Sequence, residues 1–192
     1  ILIKGLKKEI DAEFYTASTR APNVYRGFPF QISVAIAYGG SIEKDSQVRL
    51  MRFANRVPLL YQQGACSITE AVLDTNWKPY GLQQSSNNLP VGPAVILVHI
   101  ASVWVPFTSE AKEAIAHYPE IIKEIKLALQ EAGRKLSIYI HKHIRAAEKR
   151  EKINLFEKYI PELASSLSIL TDYKKDIIQE KLRRVLKKEL PT

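Results

Sequence analysis

Lys112 lies in "PFTSEAKEAIA", residues 106–116, a stretch that reads as the start of a helix. Thr108 or Ser109 can accept a hydrogen bond from a free backbone N–H, as an N-cap does. Glu110 and Glu113 suit the positive end of a helix dipole. Lys112 does not, and a cation there costs about 0.3–1 kcal/mol. Two readings stand. An exposed lysine is common and costs little, or a negative group sits in front of it at a helix end suited to anions. A second lysine, Lys78, lies in "WKPY", residues 77–80. Trp77 and Tyr80 are large for a loop otherwise made of Asn, Gly, Gln and Ser. Pro79 fixes its own φ and biases Lys78 to an extended backbone, so the lysine projects from a stiffened turn. On these residues alone, both aromatics anchor the loop to a sheet.

The other groups with reactive chemistry do not assemble into a catalytic pattern. His141 and His143 are two apart, which puts them on different sides of a helix and argues against shared metal ligation. His99 sits mid-strand and reads as a hydrogen-bonded core histidine. Cys66 is the only cysteine. It allows no internal disulfide, fits an intracellular setting and reads as a buried, inert thiol. No P-loop or dinucleotide fingerprint occurs. This chain by itself is not expected to catalyse a reaction.

Charge is uneven. The net is +8. Residues 1–117 hold 11 basic and 9 acidic side chains, a net of +2, and residues 118–192 hold 17 and 11, a net of +6. The basic excess permits contact with a polyanion or an acidic protein surface, and equally describes a solvated helical face. The chain begins with Ile1 rather than Met, as a fragment or processed chain would, and "ILIKGLKKEI" is too charged for a signal peptide. The longest apolar stretch, 91–107, is β-branched and aromatic, contains His99 and Ser102, and reads as a buried strand rather than a membrane span.

The elements that must position these residues follow from periodicity. Residues 28–40 alternate, with Phe30, Ile32, Val34, Ile36 and Tyr38 on one face, and end at Gly39–Gly40. Residues 48–57 form a second strand stopped by Pro58, expected to pair antiparallel with the first through a long connection. Residues 9–20 are expected to add another strand. "SITEAVLDT", 67–75, is a short helix with Ser67 and Glu70 as a capping box. A strand from about 93 to 105 follows the Trp77 loop, then the helix at Thr108. Pro119 opens a further helix. Its stripe of Ile122, Ile125, Leu129, Ala132, Leu136, Tyr139 and His143 can run to about 152, about 50 Å, as a projecting stalk would. Gly133 is a weak point inside it. Pro161 breaks the pattern. The last segment, about 171–190, carries Tyr173, Ile177, Ile178, Leu182, Val185 and Leu186 on one side. It either folds back on the stalk or docks on a partner.

"RFANRVPLLYQQGACSI", 52–68, then "NWKPYGL" and "LPVGPAVILVHIASVWVPFTSEAKEAIA", resemble the transducer region of the B subunit of archaeal DNA topoisomerase VI. The resemblance covers about residues 20–135 well and the remainder by order and character. It implies an α/β fold, the GHKL-type transducer, with a curved sheet, a left-handed βαβ crossover and a long C-terminal stalk helix. Residues 1–152 would be the transducer with its stalk, and 153–192 a helical segment that holds the partner subunit. The implied function is to relay nucleotide state to the DNA-cleaving subunit during duplex strand passage in a type IIB topoisomerase, an ATP-dependent isomerase. The implied partners are the A subunit, a second B subunit on ATP binding, and double-stranded DNA, in a heterotetramer of the cytoplasm without a membrane. The implied cofactor is ATP, with Mg in a GHKL ATPase domain whose acidic and glycine-rich motifs this sequence lacks. Lys112 matches the switch lysine that contacts the γ-phosphate of ATP. Trp77, Lys78 and Tyr80 match a WKxY motif that engages DNA. The rival expectation is a non-catalytic basic module for nucleic-acid binding or assembly.

Overall fold

A computed structural model describes residues 2–188, with side chains through Leu186. Helix α1, Leu2–Glu9, precedes strands β1, Phe14–Thr19, β2, Asn23–Tyr25, and β3, Phe28–Tyr38. Strands β4, Arg49–Ala54, and β5, Val57–Pro58, lead into helix α2, Ser67–Leu73. Strand β6, Ala94–Ser102, is followed by the long helix α3, Pro119–Leu170, and by helix α4, Lys175–Lys188. The chain divides into two compact units, residues 1–140 and 141–192.

One sheet holds the first unit, in the order β1-β3-β6-β4-β5, with β2 on the same side of β3 as β1. The expected antiparallel pairing of β3 with β4 does not occur. Strand β6 lies between them, antiparallel to β3 and parallel to β4. The reason is written in β6: Ala94 to Val98 are all buried, an apolar run on both faces that belongs at the centre of a sheet. The connection from β4 to its parallel neighbour passes through α2, a βαβ unit. Strand β4 also ends earlier than expected. Asn55 and Arg56, both with positive φ (47° and 69°), turn the chain so that Pro58 pairs with Phe53 instead of merely ending the strand.

The two faces of the sheet carry two cores. Phe30, Ile32, Val34 and Ile36 of β3 and Ile96, Val98 and Ile100 of β6 pack in one cluster with Ile68 and Val72 of α2 and with Ile121, Ile125, Leu129 and Leu136 of α3. Each fully buried isoleucine or leucine here contributes about 1.5–3 kcal/mol. On the opposite face Ala35, Ala37, Val95 and Leu97 pack with Leu6 of α1. Residues 9–20, expected as one strand, are the end of α1 and then β1. The helix was hidden by its brevity, with Leu6 its one fully buried side chain.

Helix α2 starts one residue earlier than the capping box requires. Cys66 is its N-cap, no side chain caps it, and Ser67 is already helical. Glu70 pairs with His117 instead of reaching back to the helix start. Helix α3 begins at Pro119 as expected but passes through Pro161 and ends at Leu170. In the second unit Ile160 and Ala164 are buried one turn apart, while Ile178, Leu182 and Leu186 of α4 are half-buried one turn apart. A bend at 171–174 separates α3 from α4. Phe156, Tyr159, Leu163, Tyr173, Ile177 and Val185 remain exposed. Among the described residues no helix is long and apolar enough to cross a membrane.

Candidate functional site: two lysines on anchored turns

The segment between β6 and α3 is a closed loop, not a helix. Val105, Pro106, Ala114 and Ile115 are buried at its two roots. Phe107 and Ile115 form an antiparallel bridge. Thr108 N–H donates to Ala114 C=O at 2.9 Å and Ala116 N–H to Pro106 C=O at 2.7 Å. Across the root, Ser67 N–H donates to Ile115 C=O at 3.0 Å, and Ile115 N–H donates to the buried Cys66 Sγ at 3.5 Å. His117 places one ring nitrogen on Ala65 C=O and the other on the Glu70 carboxylate. The helix expected at Thr108 is absent because these tertiary bonds use the backbone groups a helix would need. No helix dipole therefore stands behind Lys112.

Lys112 sits at the tip, where its N–H donates to Ser109 C=O at 3.2 Å and closes a turn. Its φ is +55°, an uncommon conformation for a residue with a Cβ. Its side chain is exposed, and among the described residues no carboxylate forms an ion pair with it, Glu110 and Glu113 included. The arrangement can offer one mobile ammonium to an anion from a fixed stem.

The turn at 77–80 is anchored differently. Trp77 is fully buried and its Nε1–H donates to Val72 C=O at 2.8 Å. Tyr80 packs edge-on against it at 6.0 Å. Lys78–Tyr80 is one turn of 3-10 helix, so Lys78 is not extended as Pro79 led us to expect. The buried indole and the Lys78 N–H bond to Asn76 Oδ1, at 3.2 Å, hold the turn against that bias. Trp77 is fully buried, Tyr80 is half-buried, and of the three motif side chains Lys78 alone is exposed. Lys78 borders an open cleft of about 400 Å³ with Asn76, Ser85, Ser86 and Asn87. The one acid there, Asp74, is neutralised by Lys126 at 2.8 Å.

Sequence reasoning missed the seat of this turn on α3. A Cβ on Gly133 would lie 2.6 Å from the Tyr80 ring. Ser137 Oγ donates to Pro79 C=O at 3.1 Å. Gly133 was visible as the flaw in a good helical stripe, and the flaw makes room for an aromatic ring. His99 is half-buried rather than in the core, and its Nε2 accepts from Arg56 N–H at 3.3 Å. Burial, and then the nearby Arg56 charge, hold its pKa below the usual value. His141 is exposed, and no group of three or more His, Cys, Asp or Glu among the described residues is placed to hold a metal ion.

Residues 1–152 match the profile of a family described as topoisomerase VI B subunit, transducer. The chain belongs to that family. It is 49% identical to the B subunit of type 2 DNA topoisomerase 6 from Methanococcoides burtonii, over 88% of this chain and 27% of that protein. Against the protein of the same name from Pyrococcus furiosus it is 43% identical, over 97% of this chain and 32% of that protein. The transducer thus spans about a quarter to a third of the relatives it matches. Among solved structures, the B subunit of DNA gyrase from Myxococcus xanthus is similar at a TM-score of 0.41 and 14% identity, over 70% of this chain and 38% of that one.

The contact between Tyr80 and Gly133 gives a direct test of the turn's anchorage. An ordinary helical Gly→Ala substitution stabilises by about 1 kcal/mol. Gly133→Ala should instead destabilise by about 1–2 kcal/mol, because overpacking against a ring outweighs the helix gain. Chemical denaturation measures the sign, and a stabilised variant would show that the ring is not seated there.

Proposed function

We propose that this transducer relays nucleotide state within an ATP-dependent type IIB DNA topoisomerase, with Lys112 as its sensor. One observation carries the reading: an exposed, unpaired lysine, held at positive φ on the tip of a loop whose both roots are buried in the core. Strained backbone persists where surrounding structure over-determines it, and such positions cluster at ligand clamps and switches. The Lys112 ammonium suits the terminal phosphate of ATP in the ATPase domain of the complete subunit. The described residues present no acidic cluster for Mg, so the metal would be held by that other domain. When Lys112 loses its partner on hydrolysis, the preference between two domain arrangements changes, and the body of residues 1–140 moves with the loop.

The remaining parts have places in this reading. The exposed apolar residues of 141–192, with Leu163, Tyr173, Ile177 and Val185 among them, give a helical surface on which the DNA-cleaving A subunit docks. This extends the partner-binding segment proposed from the sequence, 153–192. A second B subunit joins on ATP binding, in the cytoplasm. Lys78, with its uncharged polar neighbours, contacts a phosphate of double-stranded DNA, and Trp77 and Tyr80 hold the turn that presents it. A phosphate contact of this kind adds affinity without reading sequence.

In the complete subunit, Lys112→Ala should lower ATP turnover about tenfold or more, the loss of one charge-assisted hydrogen bond. The fold should stay intact by circular dichroism. Unchanged turnover would remove Lys112 from the sensor role, and DNA affinity without any nucleotide response would favour a plain binding module. Separately, Lys78→Ala should weaken DNA binding similarly for all sequences and reduce the salt slope by about one unit. An unchanged slope across a salt series would return Lys78 to an ordinary surface role.

A further inference from the structure

Arg52 is the least expected side chain of the first core. It lies on β4, 4% exposed, among apolar neighbours. Its Nη2 donates to Tyr61 C=O at 3.0 Å, but its Nη1 is buried with no acceptor. Among the described residues no carboxylate pairs with it. A buried guanidinium without an anion is costly, because desolvation is not repaid by a partner. Arg52 is one of the residues that line a cavity of about 190 Å³, with Arg49, Met51, Leu60 and Gln63 and with no acidic residue.

The same place is an open sheet edge. On the side away from β6, β4 pairs with β5 only at Phe53 and Ala54, and Leu59 N–H caps Arg52 C=O at 2.8 Å. Among the described residues no strand lies along that side of Arg49–Met51. Beside it the loop presents Leu60 and Tyr61 to solvent, 72% and 66% exposed, next to Gln62 at a φ of +50°. An open edge recruits an extended peptide through its backbone, and pockets beside it select the side chains.

We propose that this edge is a docking site for an extended acidic peptide. The peptide adds as a strand beside Arg49–Met51. One of its carboxylates enters the cavity and accepts from the guanidinium of Arg52, with Arg49 at the mouth, and an apolar side chain covers Leu60. A planar carboxylate suits the fork of a guanidinium. The flanking Leu60 and Tyr61 and the free backbone edge favour a peptide over a nucleic-acid phosphate.

The experiment uses the full 192-residue chain and an acetylated peptide of alternating Glu and Val, followed by backbone amide shifts and by titration. Shifts should concentrate at Arg49–Phe53 and Leu60–Gln63. The analogue with Gln for Glu should bind about tenfold more weakly, as should the peptide on Arg52→Lys, since an ammonium cannot form the fork. If Arg52→Lys lowers the melting temperature, Arg49→Ala and Leu60→Ser decide instead. Both side chains are exposed, and each change should weaken binding with the fold unchanged. Equal binding by the Gln analogue, shifts elsewhere on the sheet, no binding at all, or displacement by inorganic phosphate at equal concentration would each overturn the proposal.

Discussion

The stripe of Ile121, Ile125, Leu129 and Leu136 pressed against β3 and β6 is the constraint on which the first unit depends. These side chains are buried to 1% exposure or less. Three consequences follow from that one seam. The start of α3 is fixed, so the loop that precedes it has a rigid far end. The middle of α3 offers Gly133 and Ser137 as a seat for the turn at 77–80. The sheet is clamped between α3 on one face and α1 on the other, so β6 takes the central position its double-sided apolar run demands. Both lysines with functional promise are carried on segments tied to this seam, and neither belongs to a regular strand or to one of the four described α-helices.

The nature of those two segments separates rigidity from reach. Around Lys112 the fixed parts are backbone: a short ladder, and Ile115 bonded on both sides by Cys66 and Ser67. Around Lys78 the fixed part is an indole inserted into the core. In each case the stem is buried and the ammonium is not. A lysine so mounted loses little freedom when it meets an anion, since only its own flexible chain remains to be ordered. That is the physical content of the sensor role proposed for Lys112.

Strong periodicity was legible in the sequence. The alternation of residues 28–38 marked a strand, although β3 proves to be buried on both faces at Val34–Ala37, and the stripe from Ile122 onward gave α3 and its Pro119 start. Pairing was not legible, because alternation says which face is buried and is silent on which neighbour lies beside it. The helix expected at Thr108 failed for a related reason. Its caps and charges were good local signals, but Ile115 is claimed by the start of α2 from 49 residues away in sequence, and local propensity yields to tertiary bonds. Pro161 misled in the opposite direction, since α3 runs through it to Leu170. Of the site, the types Lys112, Trp77, Lys78 and Tyr80 could be picked out from sequence and resemblance. Gly133 and Arg52 could not be assigned a purpose, because that purpose depends on the tertiary surroundings, the Tyr80 ring beside Gly133 and the lack of an acceptor at Arg52 Nη1.

Hydrogen exchange of the complete subunit tests the central claim most directly, with amides of 107–115 compared in the presence of a non-hydrolysable ATP analogue and of ADP. If Lys112 grips the terminal phosphate, the loop around it should exchange more slowly with the triphosphate than with the diphosphate, while β3 and β6 stay unchanged. Equal exchange of 107–115 in the two nucleotide states, with both nucleotides bound, would contradict the account.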